Sequence, residues 1–337
     1  MLSAPSLSIG NGNISTNTTN VRLSGAGAQF NQLNGLQNNQ GTLQVDSGAS
    51  FTNTVQLNNT GVLNVGIQNN NASGTLINSG TLNNNRGGTL NINSGATMIN
   101  NTGGMLSNDW GLNISGGGTL TNAGTLINNQ GGFTVAQTAI VNGTGSITQM
   151  SGGTLTIDGS VSQNNIAING GELTGTGHIT TTNGLTVSAG GTVNPGDFNP
   201  GTLTVNGNAS FSGGTLDIHI NNATQFGALI ASEAANFTQG GNIVISNGNN
   251  PASSFVGDSF AVLSAGTISN NVLNAITFNG FGNLIETETL TFNPTDTIET
   301  LNITFTSASI TLPVPASAWL FSSIVAGFIG FNRRRPV

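Results

Sequence analysis

The sequence predicts an all-β chain: a right-handed parallel β-helix with three short strands per coil of ~22 residues, followed by a single C-terminal transmembrane helix. Three observations predict it. First, residues 74–92 (GTLINSGTLNNNRGGTLNI) align without a gap on residues 118–136 (GTLTNAGTLINNQGGFTVA), matching at 11 of 19 positions at an offset of 44. Thr75, Thr97 and Thr119 divide that offset into steps of 22. Second, the local pattern G-T-L-x-N has a period of two, the period of a strand with one buried face. Third, only 5% of residues are charged and 36% are hydrophobic, with 50 glycines. A core built from regularly placed aliphatics fits that composition better than a disordered tract does.

Taken in chain order, residues 1–20 form an N-terminal segment, capping or disordered. Met1-Leu2-Ser3-Ala4-Pro5 has neither a basic nor an apolar leader region, so a native start upstream, carrying a signal peptide, is expected. Residues 21–270 make the parallel β-helix. Within 74–136 the glycines that lead strands (Gly74, Gly80, Gly88, Gly95, Gly104, Gly111, Gly118, Gly124, Gly132) recur every six to nine residues. Three such strands close one coil. Leu76, Leu82, Leu90, Leu120 and Leu126 are expected to fill the lumen, with Thr and Asn on the opposite face. Stacked Asn side chains can hydrogen-bond along the axis. Corners fall where Gly and Asn cluster, because both tolerate positive φ. About eleven coils over residues 20–265 would make a rod of order 50 Å. Residues 271–311 supply further strands, among them Ala275–Phe278 and Leu301–Phe305, expected to cap the open end. The coil end near residue 20 offers an edge for pairing with another molecule.

From about Ser151 the texture changes. A double Pro-Gly segment, Asn194-Pro195-Gly196-Asp197-Phe198-Asn199-Pro200-Gly201, is followed by Gly213-Gly214-Thr215-Leu216-Asp217-Ile218 and Val256-Gly257-Asp258-Ser259-Phe260. Residues 150–270 thereby resemble the passenger region of autotransporter-like and filamentous-adhesin-like β-helices. That resemblance implies architecture and export, and no catalytic residue.

The last 26 residues, LPVPASAWLFSSIVAGFIGFNRRRPV, join a proline-punctuated motif, an apolar run over residues 316–331, and Arg333-Arg334-Arg335. The run is shorter than the ~20 residues of a relaxed bilayer span, and arginine snorkelling with Trp319 extends its reach. By the positive-inside rule the arginines stay cytoplasmic and the rod lies outside. This order is similar to the PEP-CTERM family of sorting signals in its VPLPA-like variant, with Leu312, Pro313, Val314, Pro315 and Ala316 at the motif and Arg333, Arg334 and Arg335 as the basic stop. The glutamate of the commoner form is missing between the prolines. The resemblance implies a membrane-embedded exosortase-type peptidase as partner, transient anchoring in the inner membrane, and release or transfer to the cell surface. An ordinary membrane anchor is the plainer reading, and it too places the rod outside.

Composition excludes several function classes. Lysine is absent, and Arg22, Arg86, Arg333, Arg334 and Arg335 are the only cationic side chains besides two histidines. Phosphate contacts need basic groups, so no nucleic-acid partner is expected. With Cys 0 there is no disulfide framework, thiolate metal site or cysteine nucleophile. Polysaccharide lyases and hydrolases on this fold need clustered carboxylates with a base. Here Asp46, Asp109, Asp158, Glu172 and Asp197 are scattered, and His178 and His219 lie 41 residues apart with no third partner. Asp197 and Asp217, 20 apart, are read as a solvated pair rather than a weak Ca²⁺ site. No enzyme activity, cofactor or metal is expected. The sequence therefore points to an exported structural or adhesive rod, with an extracellular polysaccharide as candidate partner. Ice binding through a threonine lattice is the alternative, and a polysaccharide lyase or hydrolase is the remoter one.

Overall fold

The computed structural model describes residues 12–307, other than 29, 68–72, 197–198, 249, 283 and 294–296. Its strands form three sheets that are parallel along most of their length, and over most of the chain every third strand joins the same sheet, so a coil contributes one rung to each face. Face one begins with Thr16–Asn17 and ends with Thr267–Ile268, in twelve strands. Face two begins with Asn20–Ser24 and ends with Ile276–Asn279. Face three begins with Ala49–Asn53 and reaches Ser259–Ala265 through ten parallel rungs. The chain is thus an all-β parallel solenoid with three strands per coil. In the described residues the only helices are short 3₁₀ segments, such as Asn31–Gly35, which stands where face three would begin.

The rungs follow the leucine pattern. Leu76, Met98 and Leu120 are register partners on successive coils of face three, and all are 0% exposed. Leu57, Leu82, Leu106 and Leu126 do the same on face one, and Leu43, Leu63, Leu90 and Leu112 on face two. Coil length is not uniform. The step of 22 holds from Thr75 through Thr97 to Thr119, but Thr154 to Glu172 is 18, Val62 to Thr89 is 27 and Ile243 to Ile276 is 33. Most strands keep four or five residues while the corners absorb most of the difference.

One expectation is corrected. The buried asparagines do not share the outer face with threonine; they share the leucine face. In T-L-x-N the Asn stands two residues after the Leu and therefore points the same way. Asn17, Asn39, Asn59, Asn84, Asn108, Asn128 and Gln149 form an unbroken buried column on face one, each Nδ2 donating to the next side-chain oxygen at 2.6–2.8 Å. Most of these amides also donate to a backbone carbonyl at the following corner, as Asn84 does to Gly111 at 2.8 Å. A second column on face three runs Asn53, Asn78, Asn100, Asn122 and Gln163. Asn142 is turned outward in between, and the longer Gln163 reaches across two coils to Asn122. Both columns end in glutamine. Beyond them the positions become apolar or hydroxylic: Ile168, Val187, Phe211 and Phe237 on face one, and Thr181 on face three.

The C-terminal end is plugged by aromatics. Phe255, Phe260, Phe281 and Phe305 are buried, with ring centroids 4.4–6.3 Å apart in the contacting pairs. There the chain abandons the parallel ladder. Ile298–Ser307 pairs antiparallel with Ser259–Ala265, and Leu284–Asn293 pairs antiparallel with it in turn as the outermost strand of face three.

Candidate functional site

Outward positions carry whatever the molecule shows to a partner. Face two has one such column along its length: Arg22, Gln44, Asn64, Asn91, Asn113, Thr134, Thr156, Thr174 and Asn194 are register partners in succession. Asn91 donates to Asn64 at 2.8 Å and Asn113 donates to Asn91 at 2.9 Å. Gln44, Asn64, Asn91 and Asn113, with Asn93, Ser115 and Ile67 beside them, line a groove of about 380 Å³. Its lining has no charge. Amide and hydroxyl groups at rung spacings of ~4.8 Å offer donors and acceptors to a ligand that is itself extended and hydroxyl-rich.

Face three presents the threonines anticipated from the repeat. Thr75, Thr97 and Thr119 are aligned, half-buried and outward. The row continues as Ile140, Ser160 and His178, so three threonines make the regular patch. Thr154 lies on face two, whereas Thr119 and Thr202 lie on face three, so the T-x-T elements do not form one lattice.

Asp46, Asp109 and Asp158 each sit with a different partner. Asp46 is fully buried and accepts from Arg22 Nε at 2.7 Å and Nη2 at 3.0 Å, and from the Ser24 and Ser47 hydroxyls. Burial alone would raise its carboxyl; the hydrogen bonds from Arg22, Ser24 and Ser47 outweigh it, and the pKa lies below the usual carboxylate value. Asp109 accepts from Asn129 at 2.7 Å, and Asp158 accepts from the Thr176 backbone N–H at 3.0 Å. His178 stands exposed on face three while His219 is on face two, 3.5 Å from Asp217, so the two histidines do not share a face. Asp197 falls outside the described residues, which leaves its pairing with Asp217 without a geometry. Among the described residues no three of His, Cys, Asp and Glu gather as metal ligands.

The sorting motif Leu312–Ala316, the apolar run 316–331 and Arg333–Arg335 also lie outside the described residues. No helix among the described residues is long and apolar enough to cross a membrane. Sequence reasoning missed one surface pair: the Arg86 guanidinium sits 5.8 Å over the ring of exposed Trp110, one coil further on. Their separation of 24 residues matches a face-one step in that region, Thr81 to Met105. No protein-family model matches the chain, and no curated protein matches it.

Proposed function

We propose that this chain is a non-enzymatic structural or adhesive rod, exported and delivered to the cell surface or extracellular matrix. The observation that carries the reading is the uncharged run of amides and hydroxyls from Gln44 to Thr156 on face two, opening into the groove around Asn64, Asn91 and Asn113. Such a surface suits neutral glycans, and its contacts are little screened by salt because few charges take part. Support for an adhesive rather than catalytic role comes from the same scarcity: acid–base chemistry on sugars needs a paired carboxylate or a base near it. Retention on immobilised extracellular polysaccharide tests the reading. Asn91→Leu with Asn113→Leu changes outward groups only and is expected to cut retention about tenfold. Retention unchanged in that variant would overturn it.

Delivery rests on the C-terminal segment. In this proposal the right-handed rod is held transiently by the span 316–331, and an exosortase-type peptidase acts at Leu312-Pro313-Val314-Pro315-Ala316. Cell fractionation with C-terminal mass mapping tests that step: a chain ending near residue 316 outside the membrane supports it. Full-length protein retained in the inner membrane leaves only an anchor. A second reading, ice binding, is favoured by the aligned Thr75, Thr97 and Thr119. Measurable thermal hysteresis that disappears in Thr97→Tyr would favour it over glycan adhesion.

A further inference from the structure

Trp110, the one tryptophan among the described residues, is 47% exposed. It stands at the corner between Met105–Asn108 of face one and Gly111–Ile114 of face two. A large aromatic held open to solvent is a typical anchor of a binding surface. The Arg86 guanidinium comes from the coil before and lies 5.8 Å over the indole. It covers that face of the ring, so the opposite face looks toward the coil after.

On that side the backbone is bare. The first outward column of face two reads Val62, Thr89, Gly111, Gly132, Thr154 and Glu172 in succession, so two adjacent rungs present no side chain. A Cβ on Gly132 would meet nothing within 4 Å, and one on Gly111 would meet only Thr89 Cγ2 at 3.7 Å, Thr89 Oγ1 at 3.9 Å and Asn113 Nδ2 at 4.0 Å. Neither glycine has a positive φ. Neither conformation nor packing therefore calls for glycine at these strand positions, where it weakens a strand. What the pair provides is open space. Thr89 and Thr154 bound it along the axis, three rungs or ~14 Å apart. Across the sheet it runs from Trp110 to the register partners Asn113 and Thr134, ~10 Å away along the strand.

We infer that this shelf seats a pyranose ring of a neutral, extended β-linked glycan, stacked on Trp110 and hydrogen-bonded by Asn113 and Thr134 where the chain enters the groove. The inference rests on the adhesive reading and supplies its anchor. A pyranose with equatorial substituents has C–H bonds on its faces and hydroxyls around its rim. The faces pack on an indole, and the rim meets an amide that donates and accepts and a hydroxyl that does both. Axial groups would lift the ring off the indole and off the shelf. Asp109, next in sequence to Trp110, offsets Arg86, so the corner carries no net charge to select an acidic sugar. In the sequence Gly111 and Gly132 look like any other glycine that leads a strand; only the register puts them side by side next to Trp110.

Cellohexaose titrated into the full chain carrying Trp319→Phe, so that emission comes from Trp110 alone, tests the seat. A saturable blue shift is expected. Trp110→Ala and, separately, Gly132→Leu are each expected to weaken retention on an immobilised neutral β-linked glucan at least about tenfold, with the melting temperature of the parent. Gly132→Leu fills open space and leaves the aromatic in place, so it reads the shelf rather than the fold. No shift with cellohexaose, or full retention of both variants, overturns the seat. If Asn91→Leu with Asn113→Leu still abolishes retention in that case, adhesion through the groove stands without it; a parent chain that no polysaccharide retains overturns both. Tighter binding to polygalacturonate than to cellohexaose overturns the neutral class.

Discussion

Asn100 shows how much one side chain carries in this molecule. It is fully buried, accepts from Asn78 and donates to Asn122, both at 2.7 Å. Asn100→Leu keeps the branched shape of the side chain but strands one donor and one acceptor in neighbouring amides. At ~1–3 kcal/mol for each orphaned group, the variant is expected to lose about 3 kcal/mol in a urea titration. Asn58, outward and part-exposed, supplies the control: Asn58→Ala should stay within about 0.5 kcal/mol. Arg22 and Asp46 set the acid limit of the first coils. Asp46 has a lower pKa folded than unfolded, so its contribution is present above the unfolded value of ~3.9 and is lost as pH falls through the folded one. Arg22→Met removes the two strongest donors and leaves burial to raise the carboxyl. Acid unfolding followed by circular dichroism should then begin at higher pH than in the parent chain, whereas Asp46→Asn should flatten the dependence.

At the scale of the coil, the corner decides what the sequence can be. Gly131 and Gly132 are adjacent and opposite in character. A Cβ on Gly131 would lie 1.9 Å from the Trp110 carbonyl oxygen of the coil before, while a Cβ on Gly132 would meet nothing within 4 Å. Gly131→Ala must push two coils apart and is expected to cost at least about 2 kcal/mol. Gly132→Ala, at an exposed strand position, should be neutral or stabilise by up to about 1 kcal/mol through the unfolded chain. Thermal melts of the two variants side by side check this. The same contrast explains what could be read from the sequence. Residues 74–136 were legible because Thr75, Thr97 and Thr119 recur at equal steps. Elsewhere corners of unequal length shift the spacing: Asn64 and Asn91 are 27 apart, Asn91 and Asn113 are 22, and Thr174 and Asn194 are 20. The groove and the glycine shelf beside Trp110 exist only once that register is known. Inward and outward asparagines also share one letter, and only their parity relative to the leucine separates Asn78 from Asn83.

Across the whole rod, the open problem for a stack of parallel rungs is where it stops. The last rung offers unpaired N–H and C=O groups to a further strand, and an exposed edge invites another chain. The C-terminal end meets this with geometry and charge together. On face one, the Ile268 N–H of the last strand is taken by the Glu299 carboxylate rather than left for a neighbour. On face three, the antiparallel pair replaces a parallel edge, and its outermost strand carries Glu286 and Glu288 opposite the apolar Phe305 and Ile303. Carboxylates on the side of a strand that faces apolar neighbours are tolerated in a half-solvated edge but not between two packed sheets, so a second molecule docking there would have to bury them. Glu286→Val with Glu288→Thr removes that obstacle while suiting the strand better by propensity. The double variant is therefore expected to fold and to self-associate end to end, as rising mass with concentration in light scattering, while the parent chain keeps one mass. Adding Glu299→Gln should strengthen the association by weakening the acceptor that occupies the Ile268 N–H. If the double variant stays at the parent's mass across the same range, the carboxylates are not what ends the stack, and the aromatic plug around Phe255 and Phe305 must do so by shape alone.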